Sequence, residues 1–426
     1  LRQDLYTLFC SYYLSLAMHR LLKRILLPAL ILPGLIVAFS CSRNPKTAAE
    51  TELCAEKHQL TAEQEKEIRK AIHADEKSYR LDTLFKKKFG RQGFNGAVLV
   101  AQKGIILYEN AQGYSNLKDK TPLTLNSAFQ LASISKTFTG VATLLLVQEG
   151  KLSLSDTVRQ FFPKFPYPGV TILDLLSHRS GLPNYLYAFE EKRKLNAALP
   201  TNDSVMAWFC QADPPVPPYN KPGCFFSYNN SNFIILASII EKVSGMSYPE
   251  FLRKRIFLPL RMFHTFVDTL APDSLRINQT TGHQGNRIRE REFFDGVYGD
   301  KGIFSSAADL SRWYFGLMNE CILNRHWLKQ AFTPRSFEKH SRHNYGLGFR
   351  LMCSPTDMKK VEYVYHGGWW AGYSTMFWSD PEEEFVIIIL SNKKSNAAYE
   401  IRPILDILED GKSTKSKEED GISDSL

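Results

Sequence analysis

Ser133-Ile134-Ser135-Lys136 sets a hydroxyl three residues ahead of an amine. On a helix that spacing puts both side chains on one face. A serine in the first helical turn keeps its own N–H unpaired, free to donate to an oxyanion. A helix N-terminus disfavours a protonated lysine, and burial disfavours it further, so the amine can act as a base toward the hydroxyl. The spacing alone is not specific, because Ser115 and Lys118, Ser336 and Lys339, and Ser391 and Lys394 repeat it. A capping serine beside a solvated lysine has the same letters. The first copy differs by its place at the mouth of a long apolar stretch.

Two further groups carry chemistry. Tyr228-Asn229-Asn230 precedes the apolar run Phe233–Ile240; a buried tyrosine can pass protons and an amide can fix a carbonyl or a lysine. His366-Gly367-Gly368, followed by Trp369-Trp370, closes a strand-like segment. Glycines there allow close backbone approach, and a histidine can donate a hydrogen bond or assist proton transfer near neutral pH. Tyr114-Ser115-Asn116 and His283-Gln284-Gly285 mimic these triplets in polar sequence. The plain alternatives are a polar loop capping the next helix and a structural histidine at a strand end. C-x-x-C, H-E-x-x-H and G-x-S-x-G are absent from the sequence, which gives little support to a zinc site and disfavours a nucleophile elbow.

The elements that must position these residues follow from periodicity. Residues 61–89 space Ile68, Ile72, Tyr79, Leu81, Leu84 and Phe85 as on one helix face. Two short strands joined by a turn are expected at 96–101 and 105–108, and a helix over 133–148 stopped at Glu149-Gly150. Residues 151–295 read as a helical lobe broken by Pro and Gly. Strands are expected at 345–351, 361–366, 373–379 and 385–391, with a closing helix over 396–409. If early and late strands join one sheet, the site lies between it and the helical lobe, where small-molecule sites concentrate.

With 426 residues, 44% hydrophobic and 23% charged, the chain is globular rather than fibrous or disordered. Its net charge of +9 is spread without the aromatic-interleaved basic run of a nucleic-acid binder. Residues 18–40 have a basic head, MHRLLKR, and an apolar run, ILLPALILPGLIVAF, as in a secretory signal; an uncleaved anchor is the alternative. Residues 1–17 are then upstream translation or a misplaced start. Ala38-Phe39-Ser40-Cys41 resembles a bacterial lipobox with Cys41 lipidated, residues 41–60 a tether and 411–426 a disordered tail. Export puts Cys54, Cys210, Cys224, Cys321 and Cys353 in an oxidising compartment. A Cys210–Cys224 disulfide is one pairing that would close the proline-rich loop between them.

In chain order the three triplets resemble the serine β-lactamase and penicillin-binding protein superfamily, whose elements are S-x-x-K, Y-x-N and K-T-G or H-x-G. Leu175–Leu182, Pro222-Gly223, Gly299–Ser306 and Tyr345–Gly348 look like its class C β-lactamase and D-alanyl-D-alanine carboxypeptidase branch. The resemblance spans about residues 90–410 of a hydrolase domain set at 61–410. It implies a mixed α/β (α+β) fold, with a mainly antiparallel sheet flanked by helices plus an all-helical lobe. Ser133 would be the nucleophile, with Lys136 and Tyr228 handling its proton. Asn230 and His366 would line the substrate, His366 binding a carboxylate or relaying a proton. The oxyanion would fall to the N–H groups of Ser133 and, after Gly368, Trp369. The reaction would need no metal or organic cofactor. The partners implied are a small peptide, amide or ester substrate, which peptidoglycan could supply, and a membrane reached through the lipid anchor, with no nucleic acid. His366-Gly367-Gly368, where a class C β-lactamase has Lys-Thr-Gly, resembles D-peptidases and esterases. A true β-lactamase and a non-catalytic peptidoglycan-peptide binder are the alternatives.

Overall fold

The computed structural model describes residues 60–410, apart from 93, 189–198, 269–275, 277 and 290 and the side chains of 88–92. The signal segment, Cys41, most of the tether and the tail lie outside the described residues. Early and late strands do join one sheet. β1 (Gly96–Gln102) and β2 (Ile105–Gln112) precede the helical part. β3 (His343–Tyr345), β4 (Arg350–Cys353), β5 (Val361–Trp370), β6 (Tyr373–Asp380) and β7 (Phe385–Ser391) follow it. The antiparallel order is β3-β4-β5-β6-β7-β1-β2, so the first hairpin closes onto the last strand. The single strand expected at 345–351 is two strands, because Gly346–Phe349 turn the chain and Gly348 has φ +89°. β5 runs on past the predicted end to Trp370.

Both faces of the sheet are covered. Along β1, Ala97, Leu99 and Ala101 join the larger core, while Val98 and Val100 face the opposite layer. That explains why β1 reads as one apolar run although its neighbours are antiparallel. The opposite layer holds α1 (Ala62–Ala71) and α2 (Ala74–Gln92), the predicted N-terminal helix broken at Ile72-His73. The closing segment is also split, into a 3₁₀ turn (Asn396–Tyr399) and a short helix (Arg402–Leu408).

α3 (Ser135–Gln148) runs through the larger core, with every residue from Ser135 to Val147 buried. A helix apolar on all sides needs such surroundings. Phe138 stacks on Trp313 at 4.1 Å, which fixes α3 against α5 (Ala307–Met318). α4 (Ser231–Ser244) crosses the same core and ends at Gly245 in the left-handed region. Among the described residues no helix is long and apolar enough to cross a membrane.

The expected Cys210–Cys224 bridge is absent: both thiols are free, Cys224 on the surface. Other contacts shape that loop. Arg179 donates to the carbonyls of Gly223 and Cys224, and Tyr219 N–H to Gly181 O. Cys321 is disulfide-bonded.

Candidate active site

Ser133 sits in a 3₁₀ turn, Ala132–Ile134, just ahead of α3 rather than in its first turn. Ala132 adopts φ +48°, a left-handed conformation that costs an L-residue roughly 1–2 kcal/mol. The neighbours enforce it. Leu131 O accepts from Thr375 Oγ1 at 2.9 Å, and Leu131 N–H donates to Ile303 O at 2.8 Å. Gly368 leaves the room: a Cβ there would lie 2.2 Å from Leu131 O. The close approach that this glycine permits is therefore by the protein's own backbone.

Lys136 is fully buried, and its Nζ lies 3.1 Å from Ser133 Oγ, 2.8 Å from Asn230 Oδ1 and 2.9 Å from Asp300 O. Two of these three can only accept, a carbonyl and an amide oxygen. Nζ donates to all three; once it gives up a proton, its two remaining N–H bonds can stay on these two acceptors, and the lone pair then faces Ser133, the one of the three with a proton to give. Asn230 sits at the N-cap of α4 but makes no side-chain cap; its amide serves the lysine instead.

The Tyr228 ring lies beneath Lys136 Nζ, 4.9 Å from the ring centroid, and Arg350 Cζ lies 4.8 Å from the same centroid. The Tyr228 hydroxyl is buried without a hydrogen-bond partner among the described residues. Tyr228 thus reaches the lysine through its ring, while its hydroxyl is not yet bonded to Ser133 or Lys136. The His366 ring is 6.3 Å from that of Tyr228. Its Nδ1 lies 2.8 Å from Gly367 O and must donate to it. Nε2 is then an acceptor, facing Tyr345 OH at 3.4 Å. Burial first, then the charges of Arg350 and Lys136, hold His366 well below the usual histidine range. It is neutral at pH 7 and offers no cation to a substrate carboxylate; Nε2 presents an acceptor.

Beyond Tyr365, β5 has no neighbour on the β4 side. Gly368 O accepts from Tyr399 OH at 2.7 Å, and strand alternation then turns the Trp369 N–H toward the unpaired edge. Among the described residues, no hydrogen bond occupies the Ser133 N–H. The Trp369 side chain is half exposed, with Lys394 Nζ 5.0 Å over its ring.

Sequence reasoning assigned no role to several residues that complete the site. His178 Nδ1 accepts from Asn229 N–H at 3.0 Å, and Ser227 N–H donates to His178 O at 2.8 Å, so this histidine moulds the Tyr228–Asn230 loop. Burial, with Lys136 and Arg350 nearby, pushes it well below its ordinary value. Tyr185 is wholly buried. Its hydroxyl donates to Asp300 Oδ2 at 3.0 Å. The glycines around Asp300-Lys301 were the visible signal: Gly299 and Gly302 both have positive φ.

A family model described as Beta-lactamase matches residues 81–410. The chain belongs to the beta-lactamase family. Among curated relatives of this beta-lactamase-family chain, Penicillin-binding protein 4* of Bacillus subtilis is 35% identical over 341 residues, covering 76% of this chain and 74% of the relative. A D-aminopeptidase of Brucella anthropi is 26% identical over 327 residues, 72% of this chain and 58% of that protein. The chain thus spans less than two thirds of the latter's length. A solved penicillin binding protein from Bacillus halodurans superposes with TM-score 0.66 at 24% identity, covering 76% of this chain and 97% of that one. An octameric penicillin-binding protein homologue from Pyrococcus abyssi gives 0.63 at 26%, covering 74% and 73%. The expected mixed α/β fold is thereby established, and the family makes the chain a serine hydrolase.

Proposed function

We propose that Ser133 is the nucleophile of an acyl-enzyme hydrolase that acts on peptide, amide or ester bonds, with Lys136 as its base. The supporting observation is the set of partners around Lys136 Nζ, of which only Ser133 Oγ, at 3.1 Å, has a proton to give to the amine. The Ser133 proton passes to Lys136 as Oγ attacks the substrate carbonyl carbon. The N–H groups of Ser133 and Trp369 receive the oxyanion, where one such donor is typically worth 10²–10³ in rate. Lys136 then protonates the leaving amine or alkoxide as its bond to carbon breaks, giving an acyl ester on Ser133. Water, losing a proton to Lys136 or through Tyr228, cleaves the ester and restores the hydroxyl.

The substrate reading favours peptides and amides bearing D-residues, together with short esters. Supporting it are the relatives named penicillin-binding protein and D-aminopeptidase and a third motif built on a neutral histidine. We also propose export and anchoring through Cys41, read from the basic head, apolar run and Ser40-Cys41; loss of fatty-acid labelling in Cys41→Ala tests it. For the active site, a fluorophosphonate probe should label the wild-type chain and not Ser133→Ala of unchanged circular dichroism. Undiminished labelling of the variant refutes the nucleophile. Comparing kcat/KM for D-amino-acid amides, D-Ala-D-Ala peptides, short esters and a cephalosporin then ranks the substrates; fast cephalosporin turnover would make it a β-lactamase, and a stable adduct without product a binder.

A further inference from the structure

Four ionisable or hydrogen-bonding side chains beside the site take no part in the steps above. Tyr185, Asp295, Asp300 and Lys301 are 0%, 8%, 2% and 4% exposed. Lys301 Nζ donates to Tyr185 OH and lies 3.3 Å from Asp300 Oδ2. Tyr185 OH in turn donates to Asp300 Oδ2, which closes a ring of three groups. Burial holds the Tyr185 phenol well above its ordinary value, so it remains a donor. The Lys301 ammonium also faces the Trp370 ring at 4.8 Å, and Trp370 Nε1 donates to Asp295 Oδ1 at 2.6 Å.

Stability does not explain such a cluster. A buried ion pair commonly does no better than apolar side chains of the same volume, and the surrounding core offers no shortage of those. What the cluster does is join three parts of the site. Asp300 supplies the backbone carbonyl that holds Lys136 Nζ. The Tyr185 N–H donates to Ser231 Oγ at 2.8 Å, one residue beyond Asn230, the other fixed acceptor. Trp370 adjoins Trp369 at the open end of β5. Two contacts on α3 pin the turn itself: Thr139 Oγ1 donates to Gly299 O, and Ile303 N–H to Ser135 Oγ.

We propose that Lys301, with Tyr185 and Asp300, is a positioning residue: the cluster holds both acceptors that orient the Lys136 amine and, through Trp370, the strand end carrying the oxyanion-hole N–H. It acts through Lys136 and Trp369 and does not touch the reacting atoms. This rests on the reading of Ser133 and Lys136 given above.

The test uses the full chain, with fluorophosphonate acylation followed at single turnover and p-nitrophenyl acetate hydrolysis at steady state, for wild type, Lys301→Met, Tyr185→Phe and Ser133→Ala. A misplacement near 1 Å costs on the order of 10²-fold. Lys301→Met should therefore acylate about 10- to 100-fold more slowly, with KM changed less than about threefold. Tyr185→Phe removes one oxygen and no charge; it should slow acylation in the same way, with KM again little changed. Should Lys301→Met not fold, Tyr185→Phe decides alone. A folded variant with wild-type acylation rate, or a rate loss wholly accounted for by unfolded protein, overturns the proposal. Labelling of Ser133→Ala would instead overturn the reading beneath it.

Discussion

Asn230→Asp should be a worse enzyme than Asn230→Ala, although aspartate keeps the shape and the accepting oxygen. In the wild type the amide oxygen takes one N–H of Lys136 at 2.8 Å and carries no charge. Alanine removes that contact. A hydrogen bond to a charged group, as the amine becomes on taking the Ser133 proton, is worth about 1.5–3 kcal/mol, which is about 10- to 150-fold in acylation rate if the whole contribution is felt in the transition state. Aspartate adds an anion in the same place. An opposite charge that close favours the ammonium and so withholds the lone pair from Ser133. The assay is kcat/KM for p-nitrophenyl acetate from pH 5 to 10, with fluorophosphonate labelling as a second measure. Asn230→Ala should lose rate with an acid limb near that of wild type. Asn230→Asp should have its limb shifted to higher pH and regain part of its rate in alkali. An aspartate variant as active as wild type at pH 7 would refute the argument that an uncharged acceptor orients a neutral amine.

Acid stability follows from the two buried imidazoles. His178 and His366 are both held well below the ordinary histidine value in the fold. As pH falls below about 6.5 the unfolded chain takes up protons that the folded chain refuses, so stability drops by about 1.4 kcal/mol per pH unit for each group. Urea midpoints should therefore fall from pH 7.5 to 5.5, and His178→Asn should flatten the dependence; an equally steep profile in that variant would remove His178 from the account. Gly368→Ala puts a methyl 2.2 Å from Leu131 O and 2.4 Å from Thr375 Oγ1. It should cost about 1–3 kcal/mol and reduce probe labelling of Ser133 more than it lowers the melting temperature; intact labelling would show that the turn can move aside.

Much of this site was legible because its chemistry needs fixed residue types at short spacing. Ser133 and Lys136 sit within one turn, so local geometry decides their contact, and Tyr228 and Asn230 reach the same amine from one short loop. The strands of the main sheet were visible through their apolar runs; what escaped were the far ends of β2 and β5 and the break at Gly346–Phe349, whose residues are as apolar as the strands beside it. What stayed hidden depends on distant packing. Tyr185 resembles any loop tyrosine until Asp300 and Lys301 arrive from more than a hundred residues away. His178 sits in a recognisable motif, but its role is a bond to a backbone N–H fifty-one residues on. The pairing of Cys210 with Cys224 was suggested by a proline-rich span that Arg179 in fact holds. Such side chains carry no periodic signal, because one contact each is all they make.

The left-handed twist at Ala132 bears on when this chain becomes active. No local preference supports that conformation; Thr375 and the bare backbone of Gly368 on the β5–β6 hairpin, and Ile303 from a separate part of the chain, impose it. A partly assembled intermediate, however helical, would let the turn relax and swing its hydroxyl away from the amine. Hydrolysis should therefore be the last property gained on refolding and the first surrendered in denaturant, a more sensitive gauge of completed assembly than any measure of helix content.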